Sequence, residues 1–260
     1  MIDVLINGKW ENIKSSVLKT DSNHFPYKNG VYETIKVEHN QAIFLEPHLQ
    51  RLFYNASRVS LSIKYKKNEI KNQITQVIDK IGTPNQLVRL TLIPNKFLVF
   101  SEPFVINKNI YNGVKAMTVL AKRKNPEIKS TENETAFKAW KAAIKSSCFE
   151  SILIDQKGNV YEGSRSNLFW VKNNIVFTRE NDVLPGITRQ AILNSYESNI
   201  SFGILNIKNL KNIDELFITK TSCGIIPIIK VNNINIGNSI PGKKTLELIQ
   251  LYDNWSKQNK

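Results

Sequence analysis

Apolar and polar positions change period several times along this chain, and each change predicts an element. Val4-Leu5-Ile6 ahead of Asn7-Gly8 reads as a strand running into a hairpin turn. Residues 31–37, Val-Tyr-Glu-Thr-Ile-Lys-Val, alternate as a second strand, and the apolar run at 42–45 predicts a third. Leu49, Leu52, Phe53, Ala56 and Val59 then recur at helical spacing, with Pro47 suited to the first turn. A second helix is expected over 68–81, stopped by Gly82-Thr83-Pro84. Residues 87–93 and 96–100 read as paired strands. The polar, turn-rich stretch 107–113 predicts a linker.

Beyond it, strands are predicted at 114–120, 151–155, 160–162, 168–171, 175–178, 215–219 and 225–231. Ala136, Phe137, Trp140, Ala143 and Ile144 mark an amphipathic helix. Two further helices are predicted at 186–196 and 241–255. The fold class is α+β with two lobes, an N-terminal α/β domain over residues 1–110 and a C-terminal domain over 111–260.

Composition narrows the picture. The chain has 260 residues, 41% hydrophobic and 22% charged, as in an ordinary globular protein. It contains no apolar run of the ~18 residues that cross a bilayer, so no membrane association is expected. Met1-Ile2-Asp3-Val4 lacks the basic and apolar regions of a secretory signal. Cys148 and Cys223 are too few for a disulfide framework or a metal site, which points to a reducing cytoplasm and to no metal. The net charge of +14 invites a nucleic-acid reading, but Lys supplies 29 of the 36 basic residues and is spread along the whole chain. A solvated surface accounts for that pattern, and no nucleic-acid partner is expected. A non-enzymatic basic binding protein is the alternative from another class.

Two short runs carry the chemistry. Glu162-Gly163-Ser164-Arg165-Ser166-Asn167-Leu168-Phe169 places an acid and short polar residues at a strand end, and Leu184-Pro185-Gly186-Ile187-Thr188-Arg189 opens a helix with a Gly-Ile-Thr turn. Helix starts present unpaired N–H groups and positive dipole charge, which suits phosphate. A carboxylate beside a phosphate cradle suits a cofactor with both a phosphate and a basic ring nitrogen, and pyridoxal 5'-phosphate fits.

With Gly30-Val31-Tyr32-Glu33-Thr34, His48-Leu49-Gln50-Arg51-Leu52, Pro126-Glu127-Ile128-Lys129-Ser130 and Leu216-Phe217-Ile218-Thr219-Lys220-Thr221, these runs resemble the class IV pyridoxal-phosphate enzymes. That family includes branched-chain aminotransferase, D-amino-acid transaminase and aminodeoxychorismate lyase. The resemblance extends from about Val4 to Val231. It implies a two-lobed fold type IV architecture like that of D-amino-acid aminotransferase, with a smaller N-terminal α/β lobe and a larger, β-rich C-terminal lobe that binds the cofactor.

It also implies roles. Lys129, 21 residues before Glu150, matches the lysine that carries the cofactor and moves the substrate's α-proton. Glu162 matches the acid at the pyridine nitrogen, and Ser166 and Asn167 shape the ring's surroundings. Leu184 lies under the ring. Arg51, the amides of Ile187 and Thr188, and Thr221 match phosphate ligands. Tyr32 and Thr34 join Lys129 as catalytic candidates. Cys223 reads as a buried structural thiol.

The match departs in three places. The Arg-x-His carboxylate trap of D-amino-acid transaminases is replaced by Leu92-Ile93-Pro94-Asn95, a family tyrosine after the lysine is absent, and Lys220 stands where a small residue is usual. Arg89 lies near the altered strand, with its face open. Thr34 matches a threonine implicated in proton transfer in the lyase. The expected function is therefore a cytoplasmic, homodimeric class IV aminotransferase that moves an amino group between an amino acid and a 2-oxo acid. The alternative is an aminodeoxychorismate lyase that releases pyruvate and 4-aminobenzoate.

Overall fold

The computed structural model describes residues 1–14, 18, 27–196 and 200–259. Two compact units result, one built from residues 1–105, 128–134 and 256–260 and the other from 106–127 and 135–255.

The first unit is a six-stranded sheet in the order β2-β1-β6-β5-β3-β4. Its strands are β1 (Ile2–Ile6), β2 (Lys9–Ile13), β3 (Val31–Glu38), β4 (Gln41–Ala42), β5 (Gln86–Ile93) and β6 (Lys96–Pro103), all antiparallel. Asn7 and Gly8 both have positive φ, as a tight hairpin between β1 and β2 requires. Helices α1 (Leu45–Arg58) and α2 (Lys67–Ile81) cover one face. Leu49, Leu52, Ile70, Ile74 and Val77 pack there against Val31, Ile35, Val88, Leu90 and Val99. The other face changes character across its width. Ile2, Val4, Ile6, Leu98 and Phe100 make an apolar cluster on the β1–β6 side, whereas Tyr32, Thr34 and Arg89 occupy the β3–β5 side.

The third predicted strand is corrected. Only Gln41–Ala42 pairs with β3, and Leu45 already opens α1. Phe44 takes a left-handed conformation, φ 53° and ψ 38°, which turns the chain out of the sheet into the helix. The apolar run was a core signal common to strand and helix, and its length could not separate the two. Strand β2, with four of its five residues exposed, gave no periodic signal.

The second unit holds a nine-stranded sheet in the order β12-β11-β10-β13-β14-β7-β8-β9, with β15 on β14. Its strands are β7 (Val114–Leu120), β8 (Glu150–Ile154), β9 (Val160–Gly163), β10 (Asn167–Lys172), β11 (Ile175–Thr178), β12 (Ile200–Phe202), β13 (Glu215–Lys220), β14 (Gly224–Val231) and β15 (Ile234–Asn235). β7 runs parallel to β8 and β14, and β11 parallel to β12. Phe169 and Phe217 stack at 5.0 Å across β10 and β13, both fully buried. Helices α3 (Glu134–Lys145), α4 (Ile187–Ser195) and α5 (Lys243–Gln258) complete the described chain, and the expected linker is a turn of 3₁₀ helix at Lys108–Asn112.

Candidate functional site

In the first unit the period of β3 separates two chemistries. Val31, Glu33, Ile35 and Val37 point toward α1 and α2, so Glu33 is a carboxylate in a hydrophobic row. It stays there because α1 supplies partners. Arg51 donates from Nε and Nη2 to the two Glu33 oxygens at 2.7 and 2.8 Å, a bidentate fork, and His48 Nδ1 lies 2.8 Å from Oε2. Burial pushes the Glu33 carboxyl up, but the charge and hydrogen bonds of Arg51, with a smaller share from His48, hold it at about 2. His48 is pushed below its ordinary value, chiefly by burial, against the pull of Glu33. Glu33 thus fixes the plane of the Arg51 guanidinium. An acid at a core-facing strand position was a signal that it would be paired, because buried carboxylates are otherwise rare.

Tyr32 and Thr34 point to the opposite face. Lys129 joins them there because residues 129–131 run along β3: the Tyr32 amide donates to the Lys129 carbonyl at 3.1 Å and the Thr131 amide to that of Gly30 at 2.8 Å. Ile128 packs into the core, Lys129 turns outward, and its Nζ lies 4.5 Å from the centre of the Tyr32 ring. Gly30 permits this, since a Cβ there would sit 2.5 Å from the Leu92 carbonyl oxygen. Arg89, directly opposite Thr34 in the β3–β5 register, donates from Nη1 to Thr34 Oγ1 at 2.6 Å. The structure therefore resolves the open face of Arg89: it shares the Tyr32 and Lys129 side.

In the second unit Glu162 is buried on β9. Arg123 Nη1 donates to its Oε1 at 2.9 Å, and the Leu184 amide and Asn167 Nδ2 donate to Oε2 at 2.9 and 3.3 Å. Asn167 also donates to the Leu184 carbonyl at 2.8 Å, tying Glu162 to the turn that starts α4. Ser166 is directed elsewhere. Its hydroxyl, with that of Ser164, donates to the buried Glu150 carboxylate. The sequence carried no sign of Arg123, which sits in a Lys-Arg-Lys triplet that reads as solvent-facing charge.

Gly186 caps α4 without a side-chain hydrogen bond, and the first intrahelical bond runs from the Gln190 amide to the Gly186 carbonyl at 2.8 Å. The amides of Ile187 and Thr188 therefore have no partner within the helix. Thr188 Oγ1 lies 3.4 Å from Tyr252 Oη. Thr219, opposite Asn167 in the β10–β13 register, is buried with its hydroxyl unpartnered, and Thr221 is half-buried just past the strand end. Cys223 is buried and its thiol lies 3.4 Å from the Ser222 hydroxyl.

The donor set of the second unit fits pyridoxal 5'-phosphate: an oriented buried acid, an uncapped helix start and an orphaned hydroxyl. Among the described residues no group of His, Cys, Asp and Glu could hold a metal ion, and no helix is long and apolar enough to cross a membrane.

Comparison with known proteins agrees with the geometry. A sequence profile of the family described as amino-transferase class IV matches residues 30–231. The chain is 28% identical over 263 residues to a D-alanine aminotransferase of Bacillus licheniformis, covering 93% of each chain. It is 26% identical over 275 residues to an aminodeoxychorismate lyase of Bacillus subtilis, covering 96% of this chain and 93% of that one. Among solved structures, the T.th. branched-chain amino acid aminotransferase complexed with N-(5'-phosphopyridoxyl)-L-glutamate superposes with a TM-score of 0.85 at 20% identity, covering 99% of this chain and 95% of that one. Fold and site define a pyridoxal-phosphate enzyme of fold type IV. The chain belongs to the class IV aminotransferase family, whose cofactor is pyridoxal 5'-phosphate.

Proposed function

We propose that the chain is an aminotransferase that moves an amino group between an amino acid and a 2-oxo acid. The observation that carries this reading is the placement of Lys129 Nζ over Tyr32, on the strand face that also carries Arg89. In this reading Lys129 would hold the cofactor and would carry the proton to and from the substrate's α-carbon. Glu162, oriented by Arg123, Leu184 and Asn167, accepts a hydrogen bond from the ring nitrogen. Arg51, the amides of Ile187 and Thr188, and Thr221 would hold the phosphate, and Leu184 would pack against the ring. The bound cofactor supplies an electron sink for charge that develops at the α-carbon. Arg89 accepts a substrate carboxylate, taking the task that the missing Arg-x-His pair performs elsewhere. The protein works as a homodimer in the cytoplasm.

The lyase reading needs Thr34 as a proton donor to the leaving group. Thr34 Oγ1 accepts from Arg89 and keeps its own proton to donate, so this contact leaves the choice between the two readings to the assay. The deciding assay measures transfer from amino acids to 2-oxoglutarate beside pyruvate release from aminodeoxychorismate. Transfer without pyruvate release is expected, and release without transfer overturns the proposal. Lys129→Ala should abolish turnover, and near-normal activity in that variant would reject Lys129 as the proton carrier.

A further inference from the structure

The buried face of α5 carries a tyrosine that the proposed function leaves without a task. We infer that Tyr252 is a positioning residue for the phosphate cradle: it fixes the start of α4 against the β13–β14 turn, so that donors on both meet a single phosphate. The inference rests on the reading above in one respect, that the cofactor's phosphate is held by Ile187, Thr188 and Thr221.

Thr245, Leu248 and Tyr252 recur at helical spacing along α5, and all three are buried. Packing alone would be met at position 252 by leucine or phenylalanine. A tyrosine brings a hydroxyl into the interior, where it needs a partner. Thr188 Oγ1, also buried, lies 3.4 Å from it. That separation is long for a pair of hydroxyls. The ring therefore carries most of the hold, and the hydroxyl sets its direction.

The ring rests on the other half of the cradle. β13 and β14 are joined through Thr221, Ser222 and Cys223, with Lys220 paired to Gly224 and the Cys223 amide donating to the Lys220 carbonyl at 3.1 Å. Gly224 closes this turn at φ +69°, a left-handed conformation that favours glycine. A Cβ there would sit 2.8 and 3.0 Å from Cε1 and Cδ1 of Tyr252, so the ring lies against the glycine's α-carbon. Tyr111 secures the same turn from elsewhere, its hydroxyl donating to the Cys223 carbonyl at 2.8 Å. All of these residues belong to the second unit. One side chain thus spans from the turn that carries Thr221 to the second residue of α4.

The span matters because the start of α4 is not fixed by local structure. Gly186 caps it without a side-chain hydrogen bond, so tertiary contacts set where its first turn lies. Phosphate oxygens only accept, and several donors must converge on them together. Donors on two elements do so only if the elements are held to within about 0.5 Å of one arrangement. The direction of the hydroxyl pair follows from the same chemistry. A Thr188 hydroxyl that accepts from Tyr252 keeps its own proton for an anion.

The test titrates the apoenzyme with pyridoxal 5'-phosphate and with pyridoxal, which has the same ring and aldehyde but no phosphate, by protein fluorescence. Tyr252→Phe keeps the ring and removes the hydroxyl. Its dissociation constant for pyridoxal phosphate should rise about fivefold, the equivalent of one neutral hydrogen bond, with that for pyridoxal changed by less than about twofold. Tyr252→Leu also takes the ring off Gly224 and should weaken pyridoxal phosphate at least about tenfold, again sparing pyridoxal. In a Thr188→Val background Tyr252→Phe should cost nothing more, because its hydroxyl acts through that of Thr188. Equal losses for the two ligands would make Tyr252 a support of the fold at large and overturn the inference. An unchanged constant for pyridoxal phosphate in Tyr252→Phe overturns it as well, and this near-isosteric variant decides the matter if Tyr252→Leu does not fold. So does a Tyr252→Phe effect that persists undiminished without the Thr188 hydroxyl. Failure of the underlying reading looks different: a wild-type apoenzyme that binds pyridoxal as tightly as pyridoxal phosphate has no phosphate cradle for Tyr252 to position.

Discussion

Glu33 illustrates how one strand residue can matter without touching a reacting atom. Its carboxylate is buried among Val31, Ile35 and Leu90 and is stable only because Arg51 and His48 meet it. Removing one partner of such a group leaves the other charge uncompensated, at a cost of about 3–5 kcal/mol. The direction of the acid response follows. Glu33 is held at about 2 against an ordinary 4.5, so its share of stability is complete above pH 4.5 and is lost as pH falls toward 2. His48 is held below its ordinary 6.5, so the fold resists its protonation and stability also declines as pH falls below 6.5. Urea midpoints measured from about pH 7 to about pH 3 should therefore fall steadily in the wild type. Glu33→Gln should be less stable near neutral pH and show a flatter decline below pH 4.5. His48→Gln should flatten the part nearest 6.5, and wild-type slopes in both variants would reject the triad.

At the scale of elements, the start of α4 concentrates the most constraint in the fewest residues. Gly186 has an ordinary φ of −67°, so its requirement for glycine is spatial: a Cβ there would run into Asn167 Oδ1. Displacing Asn167 loosens both its contact with Glu162 and its hold on the Leu184 carbonyl. Gly186→Ala should weaken pyridoxal phosphate binding to the apoenzyme by about tenfold, the worth of roughly one hydrogen bond. Gln190→Ala, on the exposed side of the same helix, serves as the control, and equal affinities in the two variants would show that the cap geometry is irrelevant. Elements also show where sequence patterning stops. The helical stripes of α1 and α2, the alternation of β3 and the Asn7-Gly8 turn were legible, because each has a period or a turn residue of its own. The helix start at Leu45 was not, since residues 42–45 are apolar in either conformation and the left-handed Phe44 has no marker in the chain.

For the molecule as a whole, the expected homodimer is checked by light scattering at working concentration, which should give a mass twice the 29.8 kDa of the chain. A monomer at that concentration would count against it. The distribution of the candidate site over the chain explains why so much of it could be read in advance. Glu162, Ile187 and Thr188 sit in short runs whose local form is already chemical: a strand end with small polar residues, and a glycine opening a helix. Lys129 was singled out by the resemblance, whose family places its lysine at this distance from Glu150, and not by any property of a lysine among 29.

Local patterning determined most of the elements and the α+β class, because periodicity and turn residues are written in consecutive residues, and the resemblance carried by the short motifs supplied the fold type and the site roles. Tertiary structure decided which residues act on one another across the strands. Glu33 became the anchor of Arg51, Arg123 the partner of Glu162, Ser166 a ligand of Glu150, and Arg89 an occupant of the Lys129 face held by Thr34. These pairings join residues from 16 to 55 positions apart. The pairing of Thr34 with Arg89 depends on strand register, where a slip of one residue would send every side chain to the opposite face.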